Sequence, residues 1–575
     1  MKKEVVKLLK KALKEKGVDL KDEEINGMIE IPPNPEMGDY SFPCFSFSEK
    51  LKDEPSQIAL ELRGEIGEPP ATDFEDIQTE GAYINFFVNR KSLARQTVWD
   101  ILTQKKNFGK TKPAKRKRIM VEFPSPNTNK PLHLGHLKNM ALGESISRIL
   151  EFNGEKVIRA DLYNDRGIHI CKSMLAYKKW GKEETPDDKK IKPDHFVGYF
   201  YTLFNKKKTK KLEKEAQEML KKWEEGDKRT LLLWKLMNGW AFNGFEKTYK
   251  TFGIKHDVDF FESNLYKKGK DIILEGVKKG LFEQAKKGEI KINLEKEGLG
   301  EKILLRSDGT SLYIVQEIAL AKIKFKKYKL DKSFYVVGNE QEYHFEVLFS
   351  VLKKLGFEKE MKHISYGMVN LPEGKMKSRE GTTVDADELI EKIRVLAENE
   401  LKKRETSSTL GQSREKLSKQ NLEKRSLIIA LAAIKYLLLK IDIKKNVLFN
   451  PKESINFEGN TGPYILYSYA RAGSIMRKAP KPKKFEVYDL EEKEMELVKK
   501  LSQFPEIVFN AYKNLNPSII ANYSYQLAQI FNEFYHICKV IGSEQEAFRL
   551  ALVQSFRQVL KNSLKLLGIE AVEEM

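Results

Sequence analysis

"VEFPSPNTNKPLHLGHLKN", residues Val121–Asn139, decides the fold of this chain. It starts within a short apolar run, "RIMVEF" (118–123), and ends inside an apolar-periodic stretch that stops at Asn153-Gly154. A short apolar run bounded by turn residues reads as a buried strand, and Asn-Gly after periodic residues reads as a helix end. "KVIRADLY" (156–163) is then a second strand. Strand, helix and strand at this spacing predict a parallel βαβ unit in an α/β fold. His133 and His136 stand at the strand-to-helix turn, in a chain with only eight histidines among 575 residues.

Open parallel sheets bind ligands at such turns. A helix N-terminus there offers unpaired N–H groups and a positive dipole end, which suit phosphate. Gly135, between the histidines, lets a flat group such as an adenine ring approach the backbone. Two imidazoles can donate to phosphate oxygens as charge builds on a leaving pyrophosphate. H-x-G-H in this setting therefore points to nucleotidyl transfer from ATP. A zinc site would need a third ligand, which the neighbouring sequence does not offer. A chance pair of surface histidines is the remaining alternative.

A second phosphate element is expected from the other half of the sheet. "GKMKSREGTTV" (374–384) follows the strand-like "HISYGMVNL" and carries Lys375, Lys377 and Arg379 between glycines. Alone it is an ordinary basic loop; paired with H-L-G-H it becomes a triphosphate clamp.

Outward from this centre, residues before about 108 read as a small α+β unit. Val5, Val6, Leu8, Leu9, Ala12 and Leu13 mark its first amphipathic helix. A basic linker, "KKNFGKTKPAKRKR" (105–118), follows. A long stretch, about 175–305, separates the first βαβ unit from its resumption at "SFYVVGNEQEYHFEV". The charge run at 206–229 inside it reads as a solvated helix face or, alternatively, an RNA contact. Past about 385 the apolar spacing is helical, which predicts an all-α terminal region.

The net charge of +20 suggests a polyanionic partner, nucleic acid before an anionic membrane surface. Cys44, Cys171 and Cys538 are far apart, so no cysteine zinc site or disulfide framework is expected, and a reducing cytoplasm fits. The N-terminal stretch has no unbroken apolar core, so no signal peptide is expected. The most apolar run, 427–441, is too short to span a bilayer, which needs roughly 20 residues.

The two phosphate elements resemble the HIGH and KMSKS signatures of class I aminoacyl-tRNA synthetases. "SPNTNKPLHLGHLKN", "YNDRGIH", "SDGTSLY", "EQEYHF", "EGNTGPYILYSYAR" and "LGIEAVEEM", in that order along nearly the whole chain, resemble the arginyl-tRNA synthetases more closely still. The resemblance implies an α/β class I Rossmann-type catalytic domain (115–395) with an insertion at about 175–305. It adds a small α+β N-terminal tRNA-elbow domain (1–110) and an all-α anticodon-binding domain (396–575). It implies L-arginine, ATP with Mg²⁺ and tRNA(Arg) as partners, tRNA binding before activation, no protein-bound metal, and a cytoplasmic monomer.

By position, the resemblance implies that Ser125, Asn127, His136, Tyr313 and Gln341 hold arginine. It assigns His133, Gly135, His136, Lys375, Met376 and Lys377 to ATP. Tyr464, Tyr467 and Arg471 would touch tRNA, and Gly38 to Phe45 would lie near its elbow. Ser378 stands where the second lysine of KMSKS is expected, and Lys130 occupies the place that replaces it in this family. Glu317 stands where the family has an aspartate.

Arginine's guanidinium is a flat fork of five donors that fits a carboxylate in two-point fashion. Glu122, Glu317 and Tyr313 are the candidates for receiving it. Glu317 also fits a solvated helix residue, Tyr313 a core residue and Gln341 a helix cap. Asp161, Asn164 and Asp165 either order the site or cap the next helix. Part of Tyr464, Tyr467, Tyr469 and Arg471 fits core packing at helical spacing. Two other functions remain open: a nucleotidyltransferase acting on a small phosphate compound, and a synthetase-like RNA-binding protein without activity.

Overall fold

The computed structural model describes the chain apart from residues 33, 69–72, 112, 114, 287, 308–311, 371–383, 408–417 and 480–483. The chain packs as two units. One holds Met1–Phe108 with 472–504 and 529–559; the other holds Gly109–Arg471 with 505–528 and 560–575. Residues past 396 are divided between the two units.

The larger unit is built on five parallel strands: β1 (Arg118–Glu122), β2 (Lys156–Tyr163), β3 (Val258–Phe261), β4 (Lys332–Gly338) and β5 (Glu360–Tyr366). Their order is β5-β4-β1-β2-β3. The chain winds from β1 toward β3 and then crosses to the other side of β1. That reversal places a crevice at the C-terminal ends of β1 and β4, where α/β sheets bind ligands.

The helix after β1, α1 (Leu134–Phe152), lies buried along most of its length. Its C-cap is Asn153, and Gly154 follows with φ +91°. This left-handed position is the stop expected from Asn-Gly. Phe123 fills the space beside Gly143: a Cβ there would lie 2.3 Å from the ring. Asn139 donates to Val336 O at 2.8 Å and to the Tyr366 hydroxyl at 3.1 Å, so α1 is pinned to β4 and β5.

The stretch at 175–305 is not wholly an insertion. Val258–Phe261 is a fifth strand of the main sheet, paired with β2. Four residues give too little alternation to reveal a strand by pattern. Before it, α2 (Pro193–Lys206), a helix at Lys210–Glu224 and α3 (Lys228–Phe252) pack around Phe196, Phe200, Phe204, Met219 and Met237. The charge run folds mainly as the Lys210–Glu224 helix, with Leu212, Ala216, Met219 and Trp223 buried and its charges on the other face. After β3, an antiparallel sheet (Glu283–Gln284, Ile290–Leu294, Gly300–Leu305) leads to α4 (Tyr313–Tyr328). The helix α5 (Ala386–Ser407) opens the mostly helical remainder.

In the smaller unit, Tyr40–Pro43, Tyr83–Val88 and Phe74–Glu80 form an antiparallel sheet in that order. The first helix buries Val5, Val6, Leu9, Ala12 and Leu13, five of the six positions read from periodicity. The apolar run at 427–441 lies mostly within the largely buried helix Lys419–Leu439, and Lys435 inside it donates to Gly568 O at 2.6 Å. Among the described residues, no helix is long and apolar enough to cross a membrane.

Gly143→Ala should destabilise the protein by about 1–3 kcal/mol, because the new methyl overlaps the buried Phe123 ring. A lower urea midpoint is the expected reading. Gly239→Ala, within α3 and with nothing within 4 Å of its added Cβ, should hold or raise the midpoint.

Candidate active site

His133 is the N-cap of α1. Its Nδ1 accepts from the Gly135 N–H at 3.2 Å, and its own N–H donates to His136 Nδ1 at 3.1 Å. The ring centroids lie 3.9 Å apart. The two histidines thus play the reciprocal part of a capping box. Each Nδ1 is committed as an acceptor, so in the neutral rings the proton sits on Nε2. Burial, with the Lys130 charge adding to it, brings the His133 pKa down to about 3. His136 falls well below the usual range through burial, with His133 and Lys130 pushing the same way. Lys130 and both rings therefore share one turn, as two neutral N–H donors beside a cation.

The loop before this turn is held by a buried carboxylate. The Phe123-Pro124 bond is cis, and Ser125 takes φ +58°. Ser125 N donates to Asp161 Oδ1 at 3.0 Å, and the Tyr249 hydroxyl donates to Asp161 Oδ2 at 2.8 Å. Burial pushes Asp161 up to about 8. Asn164 Nδ2 donates to Ser125 O at 3.1 Å, and Asn164 N donates to Pro126 O at 3.0 Å. Asp161 and Asn164 thus order the loop and cap no helix. Asp165 accepts from Ser263 N at 2.8 Å and Ser263 Oγ at 2.6 Å. The next helix begins after Gly167 with no side-chain cap.

Asn164 also lines a small open pocket with Glu262, Tyr313, Gln316 and Glu317, floored by Leu162, Leu265 and Leu320. Tyr313 and Glu317 lie one turn apart on α4, and Tyr313 is 62% exposed. Glu317 pairs with His344, whose pKa that hydrogen bond raises. Glu262, directly after β3, was not among the candidates. Burial lifts it to about 7; Arg166 opposes the shift, while Asp165 and Glu317 add to it. Gln316, in the amide orientation that suits both neighbours, donates to Glu262 Oε1 at 2.8 Å and accepts from Arg166 Nη1 at 3.1 Å. A buried carboxylate lifted this far is poised for a cationic ligand. The signal available in sequence was a carboxylate just past the C-terminal end of a strand, hidden because the strand was hidden.

Two candidates for arginine lie elsewhere. Glu122 is buried and paired with the ammonium of Lys324, which is buried as well. Its charge is already answered, and it does not line the pocket. Gln341 ends the turn after β4, exposed, and its side chain does not cap the helix Glu342–Lys354. Asn127 is exposed and forms a backbone bridge to Asn164. Lys375, Met376, Lys377, Ser378 and Arg379 lie outside the described residues, as do 308–311 of "SDGTSLY". The chain that follows is fixed to the histidine turn. Leu134 N donates to Val384 O and Ala386 N to Leu132 O, both at 3.0 Å, and His133 bridges Asp385.

On the helix Gly462–Lys478, Tyr464 is half-buried against Tyr525. Arg471 lies over the Tyr467 ring at 4.8 Å and donates to its hydroxyl at 3.3 Å. Tyr469 is a core residue whose hydroxyl reaches Glu573 at 3.2 Å.

Residues 97–450 match the family model for the catalytic domain of class I (R) tRNA synthetases. Residues 465–575 match the DALR anticodon binding domain, and residues 3–88 the arginyl tRNA synthetase N-terminal domain. The chain is 45% identical to an arginine–tRNA ligase of Treponema denticola, over 96% of this chain and 95% of that one. It is 42% identical to one of Borrelia hermsii, over 100% and 99%. The Thermus thermophilus arginyl-tRNA synthetase structure superposes with a TM-score of 0.83 at 25% identity, covering all of both chains. This chain belongs to the arginyl-tRNA synthetase family.

Proposed function

We propose that the His133 turn and the Glu262–Tyr313–Glu317 pocket together activate L-arginine. The chain joins arginine to ATP, giving arginyl-adenylate and pyrophosphate. It then transfers the arginyl group to the 3′ end of tRNA(Arg) and releases AMP. The observation that carries this reading is the link through Asn164. Asn164 lines an acidic pocket, and its side chain holds the Ser125 loop that leads to the histidine turn.

The guanidinium lies against Glu262 and Glu317, with Tyr313 at the rim. A fork of five donors answers both carboxylates; a lysine ammonium leaves part of them unpaired. Ser125, Asn127 and His136 flank the arginine α-groups, so its carboxylate meets the α-phosphate near α1. Gln341 joins them from the end of β4. Glu122 supports β1 through Lys324 rather than touching arginine. His133 and His136 donate through Nε2 to phosphate oxygens as the pyrophosphate leaves. Gly135 leaves room for the adenine. Lys130 adds positive charge at the same turn, in place of the loop lysine missing at Ser378. Lys375, Met376 and Lys377 approach ATP from the other side. ATP arrives as its Mg²⁺ complex.

The N-terminal region, 1–110, meets the tRNA elbow through Gly38 to Phe45, where Phe45 is 54% exposed. The helical region, 396–575, reads the anticodon loop, with Tyr464, Tyr467 and Arg471 among its contacts. The protein acts as a cytoplasmic monomer, and tRNA binds before activation.

ATP–pyrophosphate exchange tests the reaction. Exchange is expected only when arginine, ATP and tRNA(Arg) are all present; exchange with lysine or glutamine in place of arginine would refute the substrate. Lys130→Ala should lower exchange by about 10²-fold, as for loss of one charge-stabilising group, with tRNA affinity nearly unchanged. Equal losses in both would make Lys130 a plain phosphate contact. Nitrogen-15 NMR of labelled histidines should find both rings protonated at Nε2, with shifts constant from pH 5.5 to 8, since burial and the Lys130 charge hold His133 down to about 3. Assignment would come from His133→Gln and His136→Gln. A titration near the usual histidine value of about 6.5 would refute the neutral-donor role.

A further inference from the structure

Two helix N-termini, both outside the pocket, meet in a compact polar knot. Lys192 precedes α2, and its ammonium donates to Asp387 Oδ2 at 2.6 Å, Asp194 Oδ2 at 3.2 Å and Thr248 Oγ1 at 2.5 Å. Thr248, on α3, donates to Asp387 Oδ1 at 3.0 Å. His195 Nε2 lies 3.2 Å from Asp385 and 3.3 Å from Asp387. Asp385 caps α5, accepting from the N–H groups of Asp387 and Glu388 at 2.9 and 3.0 Å. Asp194, fully buried, occupies the space that a Cβ on Gly244 would take.

Asp194, His195 and Asp387 bring ligand atoms as close together as a metal site would. The Lys192 ammonium already stands among them, so the carboxylates have their counter-charge from the chain itself. What the knot holds is more informative. Asp385 and Ala386, directly before Asp387, are the residues paired with His133 and Leu132. On the same helix as Asp194, Gly198 packs on the loop: a Cβ there would lie 2.6 Å from Pro131 Cδ and 3.5 Å from Lys130 Cα. One helix, α2, therefore grips both the Lys130–Pro131 turn and the segment that follows 374–384. Phe196, Phe200 and Phe204 of the same helix pack into the aromatic core before β3, while Tyr199 is exposed.

We propose that Lys192 and Asp387 are positioning residues for adenylate formation, fixing the Val384–Ala386 segment in register with the His133 turn. This rests on the assignment of ATP to that turn. The pair touches neither substrate. Its charge-assisted bonds, mostly shielded from water, join segments nearly 200 residues apart in sequence. A seam displaced by about 1 Å would misplace the ATP groups, and such misplacement costs up to about 10²-fold in rate. The acidic pocket for the guanidinium, which sets most of the affinity for arginine in the proposed function, stands on other elements, β2, β3 and α4, and should be spared.

Steady-state exchange with the full-length protein, arginine, ATP and tRNA(Arg) tests this. Absence of exchange in the unsubstituted protein would refute the assigned reaction, a failure separate from that of the seam. Given exchange, Lys192→Met and Asp387→Asn should each raise the KM for ATP, or lower kcat, by about tenfold, with the KM for arginine within about twofold. The double variant should be no worse than the poorer single one, because the two act through one bond. Lys192→Arg, which keeps the charge, should recover most of the loss. Equal rises in both KM values, losses that multiply in the double variant, or unchanged kinetics would each overturn the proposal. If Lys192→Met melts early or loses helical circular dichroism, Asp387→Asn and Lys192→Arg still decide by the same KM comparison.

Discussion

The start of α1 is the constraint on which the site depends. A helix beginning in a buried place must find acceptors for its first N–H groups. Here a histidine takes the place that serine or aspartate usually fills, and a second histidine returns the bond. Both Nδ1 atoms are spent on the backbone. What remains is a pair of uncharged donors locked in direction. A charged imidazole would lose its acceptor atom and with it the cap, so fold and chemistry demand the same protonation state.

The surrounding structure aims this turn. Phe123 against Gly143 fixes α1 to the end of β1, and Asn139 ties it to β4 and β5. Asp161 and Asn164 fix the Ser125 loop from the β2 side. The loop thus takes its shape from buried polar bonds, each of which would be costly to leave unmade.

The sequence disclosed whatever rests on local pattern. The βαβ unit around His133, the stop at Asn153-Gly154 and the first helix of the chain all follow from periodicity and punctuation. Tyr313 and Glu317 came from family likeness and do share a pocket. Long-range pairing was not legible. Nothing near Glu122 announces Lys324, some 200 residues on, which takes its charge. Glu262 was invisible because β3 is only four residues long. Lys192 looked like one lysine in a lysine-rich chain, since its partners Thr248 and Asp387 are brought to it by tertiary folding. The second phosphate element read from the sequence, Lys375 to Lys377, falls outside the described residues, although Val384 beyond it is anchored at Leu134, beside His133.

The burial of Glu262, which lifts its carboxyl to about 7, has a consequence for the proposed pocket. Alone, this carboxyl is about half protonated near neutrality. In the proposed function, a guanidinium seated against it would favour the ionised form, so below pH 7 each binding event would expel part of a proton to solvent. Affinity for the cation then climbs as pH rises toward 7 and levels off above it. The heat of binding acquires a share from whatever buffer accepts that proton. A pocket used in this way would answer not only to the shape of its ligand but to the acidity of the medium in which it meets it.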